Sequence, residues 1–417
     1  MRAVCAVIAS GRRDLLKLRD QSGQDDIAFE CWYKSRRNSA SVNGDGNMQH
    51  SKIASEEVDR LQTPALVIDG AIVRRNVRRL ADYAASVGVT IRPHTKTHKL
   101  RKLAELQLDA GAIGLTVAKV SEAEAISDSG QDVFLAYPPI GEQRADRLAA
   151  LGRDRTMRAA VDSLAAIEAT SAAARAAGTT VGLLVDLDVG LGRTGVPSPA
   201  ATLSLAQAID QSVNVRLDGI MIYPGHVWSL PDQQGAELKA VDDLVVETLE
   251  LWAKHGLAAA IVSGGSTPTA YQSHLMPHVT EIRPGTYVFN DMNTARPGFC
   301  SVDDCAARVV ATVVSDAVAG QVVIDAGSKA LARDASSIPN GGFGYVVEYP
   351  EARIKQLSEE HGQIDVTKCR ERPRIGERVT IIPNHICPCV NLQAAVWWME
   401  PGERLQQMVV DARGKTQ

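Results

Sequence analysis

The chain has 417 residues, of which 45% are hydrophobic and only 4% aromatic, so it can bury a large core of mainly aliphatic side chains. This length favours an organisation with one large domain and one smaller domain. The formal net charge is −4 and no basic stripe with aromatic residues stands out, which argues against a nucleic-acid partner. The apolar runs are short and interrupted by charge, so we expect no membrane-spanning helix. The seven cysteines are irregularly spaced, which favours a reducing cytoplasm over a disulfide framework.

Residues 1–58 differ from the rest of the chain. They mix "GRRDLLKLRD" with "SRRNSASVNGDGN" and show no sustained hydrophobic period. The apolar run from Val4 to Ala9 is too short for the core of a signal peptide. We therefore expect a disordered N-terminal extension.

Strand-like and helix-like segments alternate from residue 59 to residue 302. "PALVID" is typical of a strand, and "AIVRRNVRRLADYAASVG" of a helix that ends at Gly88. The strand-like segments that follow, each but the last with helix-like sequence behind it, are "VTIRPH", "IGLTVA", "DVFLAYP", "MRAAVDS", "TVGLLVDLD", "RLDGIMIYP", "AAIVSGG" and "VTEIRPGTYVF". These alternations predict an α/β fold with a (β/α)8 TIM-type barrel; a doubly wound sheet is the alternative, because strand order is not visible in a sequence.

The pattern changes in residues 303–417. Strand-like segments now follow one another with turns and few helices between them: "AARVVATVVS", "QVVIDAG", "FGYVVEYP", "ERVTIIPN", "AAVWWME" and "RLQQMVVDAR". This pattern predicts a mostly β C-terminal domain.

Unusual polar clusters directly follow several predicted barrel strands. In a barrel the carboxyl ends of all strands meet on one face, which is where barrel enzymes keep their active sites. We therefore expect these clusters to converge: Lys96 and His98 after the first strand, Asp188 to Thr194 after the fifth, Tyr223 to His226 after the sixth and Gly264 to Thr269 after the seventh.

Lys96 lies in the basic stretch "IRPHTKTHKL". A lysine at the end of a barrel strand with cations beside it is suited to act as a Schiff-base amine. The alternative is a solvated surface lysine. The nearby Lys99 and Lys102 look like ordinary lysines.

Two glycine-containing turns are candidates for anion binding. "SGGSTPT" offers backbone N–H groups and hydroxyls to a phosphate at a helix N-terminus, or is a plain Gly/Ser/Pro turn. "DLDVGLGRTGV" presents Arg193, which can donate to a cofactor oxygen or a carboxylate, or serve in a structural loop.

"PNHICPCVN" in the β domain combines an imidazole with thiols. On an extended segment His385 and Cys387 point to one face and form a zinc-like pair, and Cys389 continues the same period as a competing ligand. Two ligands are too few for a structural zinc site and fit an open site better. The alternative is a buried cysteine next to a hydrogen-bonded histidine.

Seven motifs in order together resemble a known family: "RPHTKTHK", "DVGLGRTGV", "YPGHV", "SGGSTPT", "EIRPGTYVFND", "IDAGSK" and "PNHICPCVNL". The family is the metal-activated D-serine dehydratase / D-threonine aldolase family, a branch of the alanine-racemase-like, fold-type III pyridoxal phosphate (PLP) enzymes. The resemblance covers residues 61–411. It implies a PLP-binding barrel, a C-terminal β domain against which the early strand at 63–69 packs, and a homodimer.

The resemblance also implies roles for individual residues. It makes Lys96 the lysine that binds PLP covalently, and Arg193 and Tyr223 neighbours of the cofactor ring. The phosphate is expected at Gly265, Ser266 and Thr267. A divalent metal, zinc first with manganese or magnesium as alternatives, is expected at His385 and Cys387.

The activity implied is a PLP- and metal-dependent lyase reaction on a β-hydroxy-D-amino acid. We expect Lys96 to take the Cα proton from one face, the metal to activate the β-hydroxyl group, and His226 to carry a proton near it. Loss of water would lead to a 2-oxo acid and ammonia. D-serine, D-threonine and 3-hydroxy-D-aspartate are not distinguished by the sequence.

The main alternative is aldol cleavage to glycine and an aldehyde. In the resemblance, aldolases carry His-x-Asp at the metal pair and dehydratases His-x-Cys, so Cys387 favours dehydration. A racemase and a non-catalytic PLP-binding protein are further alternatives, and the β domain with its His-x-Cys pair argues against the latter.

Overall fold

A computed structural model describes residues 56–417. The predicted disordered extension lies outside the described residues except for its last three, which begin the short helix α1 (Glu56–Asp59). The first strand, β1 (Ala65–Asp69), follows. Helix α2 (Gly70–Val87) begins where the side chain of Asp69 accepts a hydrogen bond from the N–H of Ile72, and it ends at Gly88 with φ 73°, as predicted.

Eight parallel strands form the barrel. The sheet order β2-β9-β8-β7-β6-β5-β4-β3 excludes the doubly wound alternative, and a parallel bridge between His94 and Thr116 joins the two ends of the sheet. All eight predicted barrel strands are present: β2 (Thr90–Ile91), β3 (Leu115–Val117), β4 (Asp132–Leu135), β5 (Thr156–Val161), β6 (Val181–Leu187), β7 (Val215–Ile222), β8 (Ile261–Gly264) and β9 (Glu281–Ile282).

Helices connect most of these strands: α3 (Arg101–Asp109), α4 (Val120–Ile126), α5 (Glu142–Leu151), α6 (Leu164–Ala177), α7 (Pro199–Gln211) and α8 (Gly235–Lys254). After β8 the chain forms only a 3-10 helix, Ala270–Leu275. The glycines and the proline of "SGGSTPT" disfavour a regular α-helix there. Among the helices that the structure describes, none is both long and apolar enough to cross a membrane.

The second sheet has nine strands and confirms the mostly β C-terminal domain. It includes β1, which pairs antiparallel with β10 and parallel with β16. The other members are β10 (Ala307–Ser315), β11 (Gln321–Ile324), β12 (Tyr345–Val346), β13 (Arg353–Leu357), β14 (Gly362–Asp365), β15 (Arg378–Ile382), β16 (Ala395–Met399) and β17 (Gln406–Val409). Short helices lie between them and before them: α9 (Met292–Ala295), α10 (Ser328–Leu331) and α11 (Ile386–Leu392).

Charged side chains fill part of the barrel interior. The buried guanidinium of Arg92 lies 3.0 Å from Glu281 and 2.6 Å from Asp132. Arg158 also binds Asp132 and lies 2.7 Å from Asp218. Buried charges are tolerated when they are paired in this way, and here they cross-link strands of the barrel.

Candidate active site

A cavity of about 330 Å³ opens at the carboxyl ends of the barrel strands. Its size fits a small cofactor with a bound substrate. Among residues 56–417, its lining contains two lysines and two arginines but no carboxylate, which favours an anionic ligand. The lining residues are His94, Lys96, Ala118, Lys119, Ala136, Tyr137, Pro138, Arg193, Thr194, Met221, Tyr223, Gly265 and Arg283.

Lys96 reaches the cavity from the 3-10 turn Thr95–Thr97, which follows β2. The turn is anchored from both sides, because the Thr95 hydroxyl donates to the carbonyl of Thr116 at 3.0 Å and His94 Nδ1 accepts from the N–H of Lys96 at 3.5 Å. Burial, followed by the positive charges of Lys96 and Arg283, holds the pKa of His94 well below its ordinary value. A neutral imidazole therefore stands beside the lysine.

His98 is buried and is not among the residues that line this cavity. Its Nδ1 accepts from the N–H of Leu100 at 3.1 Å, so Nε2 carries the proton and donates to Oε1 of Gln107 at 3.2 Å. Burial lowers the pKa of His98 to about 4. His98 is a structural histidine, although it lies only two residues after Lys96.

Lys99 is not the ordinary lysine that the sequence suggested. Its side chain is buried, forms an ion pair with Glu122 at 2.8 Å and donates to the carbonyls of Ala412 and Lys415, both at 3.3 Å. The partners lie far along the chain, so the local sequence carried no sign of them. The ion pair ties the Lys96 turn to α4, and the two hydrogen bonds tie it to the C-terminal segment.

Arg193 and Tyr223 both line the cavity and contact each other. The guanidinium carbon of Arg193 lies 4.6 Å from the centroid of the Tyr223 ring. His226 is exposed and is not among the lining residues; its ring packs on the turn at Gly190, where an added Cβ would lie 3.1 Å from Nε2. The structure thus brings two of these three residues to the cavity.

The "SGGSTPT" turn presents Gly265 to the cavity. Gly265 has φ 81° and its Cβ position lies 3.0 Å from the side chain of Ile282, so only glycine fits without strain. The N–H of Ser266 is already bonded to the Thr269 hydroxyl at 3.1 Å. The Thr267 hydroxyl accepts from the N–H of Tyr287 at 3.3 Å and keeps its own proton to donate. The expected α-helix N-terminus is absent here, since only the six-residue 3-10 helix follows.

Two lining cations were not singled out from the sequence. Arg283, inside the quoted motif "EIRPGTYVFND", donates to Oγ of Ser263 at 2.6 Å and to the carbonyl of Ile222 at 2.9 Å. Burial lowers the pKa of Arg283 to about 10, which leaves it protonated at neutral pH. Lys119 follows β3 and lies 3.7 Å from the centroid of the Tyr137 ring.

The His385 and Cys387 pair lies next to the Lys96 turn. The Cys387 thiol is 3.3 Å from the hydroxyl oxygen of Thr97. His385 has an extended backbone and caps α11, whereas Cys387 is the second residue of that helix. The prediction that both lie on an extended segment was therefore wrong. The two side chains still meet, and a hydrogen bond joins the imidazole to the thiol.

Asp334 accepts a hydrogen bond from His385 at 2.8 Å, between Oδ1 and Nδ1. With Nδ1 engaged by Asp334, Nε2 is the ring nitrogen that meets Cys387 and that a metal shared with this thiol would bind. Burial alone lowers the pKa of His385, but Cys387 and Asp334 outweigh it and raise the pKa to about 10. Burial alone raises the pKa of Cys387, and the imidazole outweighs it, so that the thiol pKa falls below its ordinary value.

Cys389 is not available as a competing ligand. Its thiol is buried and donates to the carbonyl of Leu331 at 2.8 Å, and burial raises its pKa well above the ordinary value. In residues 56–417 no cluster of three or more His, Cys, Asp or Glu side chains is arranged to hold a metal. Nε2 and a thiol of lowered pKa fit a divalent ion whose remaining positions are filled by water or substrate.

Comparisons with known proteins cover nearly all of the described residues. The family model of the alanine racemase N-terminal domain matches residues 68–293, and that of a putative serine dehydratase domain matches residues 306–398. The first match is the barrel and the second most of the β domain.

Individual relatives match over most of their length. The chain is 31% identical over 372 residues to 3-hydroxy-D-aspartate aldolase of Paracoccus denitrificans, covering 85% of this chain and 93% of the relative. It is 32% identical over 351 residues to D-threo-3-hydroxyaspartate dehydratase of a Delftia species, covering 78% and 91%. The crystal structure of D-threonine aldolase from Filomicrobium marinum superposes with a TM-score of 0.79 at 31% identity, covering 86% and 98%.

Proposed function

The chain belongs to the alanine-racemase-like, fold-type III family of PLP enzymes with a serine dehydratase domain, and we propose that it dehydrates β-hydroxy-D-amino acids with the help of a divalent metal. Its characterised relatives are lyases. The observation that carries this proposal is the position of the His385 and Cys387 pair. Cys387 of this pair touches Thr97, the neighbour of Lys96, and Lys96 lines the cationic cavity.

The cavity offers a suitable partner to each part of PLP. Lys96 would hold the cofactor covalently, and Arg193 and Tyr223 would lie along its ring. The hydroxyl of Thr267 and the turn at Gly265 would take the phosphate, and Ser266, which lies between them in the chain, is buried. Bound PLP would supply an electron sink for charge that develops at Cα of the substrate.

The side chains around Lys96 favour removal of the Cα proton from one face. Once released, Lys96 would take that proton, and the imidazole beside it, that of His94, is neutral. The described residues of the cavity lining include no carboxylate, and we assign no base role to Tyr137 or Tyr223. One-sided proton removal fits a lyase that acts on one enantiomer and does not racemise it.

The metal pair would act on the β-hydroxyl group. A divalent ion, with zinc favoured by the thiolate of Cys387, would serve there as a Lewis acid. Loss of the Cα proton and of the β-hydroxyl as water leaves an enamine, which water hydrolyses to a 2-oxo acid and ammonia. His226 is not used in this scheme, and its role as a proton carrier remains a prediction.

Aldol cleavage is the second candidate function. It is favoured by the relatives from Paracoccus denitrificans and Filomicrobium marinum, both of which are named aldolases. The same Lys96 and metal pair would serve, but the bond between Cα and Cβ would break instead. Cys387 in place of the carboxylate that the resemblance associates with aldolases favours dehydration.

We also propose that the protein is a cytoplasmic homodimer. All five cysteines of the described residues are free, which suits a reducing compartment. The homodimer is implied by the resemblance, and light scattering behind a sizing column measures it directly.

Product analysis tests the proposed function. The enzyme loaded with PLP and zinc, manganese or magnesium in turn is incubated with D-serine, D-threonine and 3-hydroxy-D-aspartate. A 2-oxo acid with ammonia supports the dehydratase, whereas glycine with an aldehyde identifies the aldolase. Accumulation of the L-enantiomer would contradict the one-sided scheme. Lys96→Ala should abolish both the activity and the visible absorbance of the bound cofactor.

A further inference from the structure

Lys119 is one of the four cations that line the cavity. Its ammonium rests on the ring of Tyr137, 3.7 Å from the centroid, and both residues line the cavity. Within residues 56–417 it forms no ion pair, and the nearby carboxylate of Glu122 is already paired with Lys99 at 2.8 Å. A lysine held on an aromatic face without a counter-ion keeps its charge available to an anionic ligand.

The position of Lys119 in the barrel places it beside Lys96. It follows β3, which the bridge between His94 and Thr116 joins to β2. Tyr137 follows β4, which is four strands away from β8 in either direction around the barrel. Lys119 and Tyr137 therefore lie at the lysine end of the cavity and across from the proposed phosphate turn at Gly265.

The other three cations of the lining have separate positions. Arg193 lies against Tyr223, and Arg283 is fixed by the hydroxyl of Ser263 and a main-chain carbonyl. Lys96 is the residue to which the cofactor would be attached. On the side of β3 and β4, Lys119 is the charge that remains for the substrate.

We propose that Lys119 binds a carboxylate of the substrate and that the ring of Tyr137 holds its ammonium in place. This inference rests on the proposed function, because it takes the ligand to be an amino acid bound at Lys96. Every β-hydroxy-D-amino acid has an α-carboxylate, and one with an acidic side chain has a second; either fits the same ammonium. Loss of Lys119 then weakens substrate binding more than it slows the bound complex.

Binding of unreactive amino acids tests the proposal. The PLP- and metal-loaded enzyme is titrated with D-alanine and D-aspartate, which offer one and two carboxylates but have no β-hydroxyl group to lose, and the cofactor absorbance reports binding. We expect Lys119→Met to raise the dissociation constant about tenfold or more, as for a lost hydrogen bond between charged groups. Lys119→Arg should stay within a few-fold of the wild type. Lys239→Met, which removes an exposed lysine on α8, is the matched control.

The pattern of loss identifies the carboxylate. Weaker binding of both amino acids assigns Lys119 to the α-carboxylate, and weaker binding of D-aspartate alone assigns it to the side-chain carboxylate. In the reaction with D-serine or 3-hydroxy-D-aspartate, the affected substrate should show a raised KM with kcat changed less.

Unchanged dissociation constants in Lys119→Met would overturn the proposal. Loss of bound cofactor in that variant would overturn it as well, because Lys119 would then serve PLP. Failure of the proposed function looks different: the wild type would bind D-alanine but form no product from any β-hydroxy-D-amino acid, and the titrations would still report on Lys119.

Discussion

The thiol of Cys387 lies 3.3 Å from the hydroxyl of Thr97, the residue that follows Lys96. This contact joins the β domain to the barrel at the point where the two proposed reaction groups meet. It explains how two residues that are 290 positions apart along the chain can serve one site. It also predicts that the metal and cofactor functions can be separated by mutation, because Cys387 touches the turn of Lys96 without being part of it.

Cys387→Ala should lose metal but keep the cofactor. Removing a direct ligand should weaken metal binding by more than the roughly 10–100-fold typical of an outer partner. Metal content after dialysis and the visible absorbance of the cofactor measure the two effects. Cys389→Ala removes a thiol that faces Leu331 instead, so its metal content should match the wild type. Equal metal content in both variants would refute His385 and Cys387 as the metal pair.

Asp334 should tune the metal affinity through His385. Its carboxylate accepts from Nδ1 at 2.8 Å and so orients Nε2. We expect the affinity to fall in the order wild type, Asp334→Asn, Asp334→Ala, with a total loss of about 10–100-fold. Competition with a chelator measures it. Asp316→Asn, at an exposed position of the same domain, is the control, and an unchanged affinity in Asp334→Ala would show that the contact has no such role.

The sequence predicted most of the barrel because barrel strands are buried on both faces and stand out as apolar runs. The burial of all seven residues of β6 is an example. The β13 and β14 hairpin was missed because its polar residues, as in "RIKQL", hide the alternation. Asp334 and Lys119 were missed for another reason. Asp334 is 51 residues from His385, so the local sequence does not show that they are partners. Lys119 can be recognised as a binding residue only once the structure shows that it lines the cavity.

The buried ion pair between Lys99 and Glu122 should contribute strongly to stability. Lys99→Met leaves the Glu122 carboxylate buried without its partner, which should cost about 3–5 kcal/mol of the free energy of unfolding. The double variant with Glu122→Gln should lose less than the sum of the two single variants. Urea denaturation of the loaded enzyme measures these values.

An exposed ion pair provides the comparison. Lys239 and Asp243 lie 2.6 Å apart with most of both side chains in solvent, so Lys239→Met should cost less than about 1 kcal/mol. If Lys99→Met lowered the free energy of unfolding no more than Lys239→Met does, the contacts of Lys99 with α4 and the C-terminal segment would not stabilise the fold.

His98 should make the protein sensitive to mild acid. Its pKa is lowered by burial to about 4 in the folded chain, against about 6.5 when unfolded. Between these values the unfolded chain binds a proton that the folded chain does not, so this residue's contribution to stability falls as the pH drops below about 6.5. From pH 7 to pH 5 the loss should be about 2 kcal/mol.

His98→Gln isolates this effect. The glutamine amide can still donate to Gln107 but does not titrate, so the variant should lose about 2 kcal/mol less than the wild type between pH 7 and pH 5. Urea denaturation at both pH values measures the difference, and His255→Gln, at an exposed histidine that bonds only within its own helix end, should behave like the wild type. An equal drop in His98→Gln and the wild type would mean that His98 does not set the acid response.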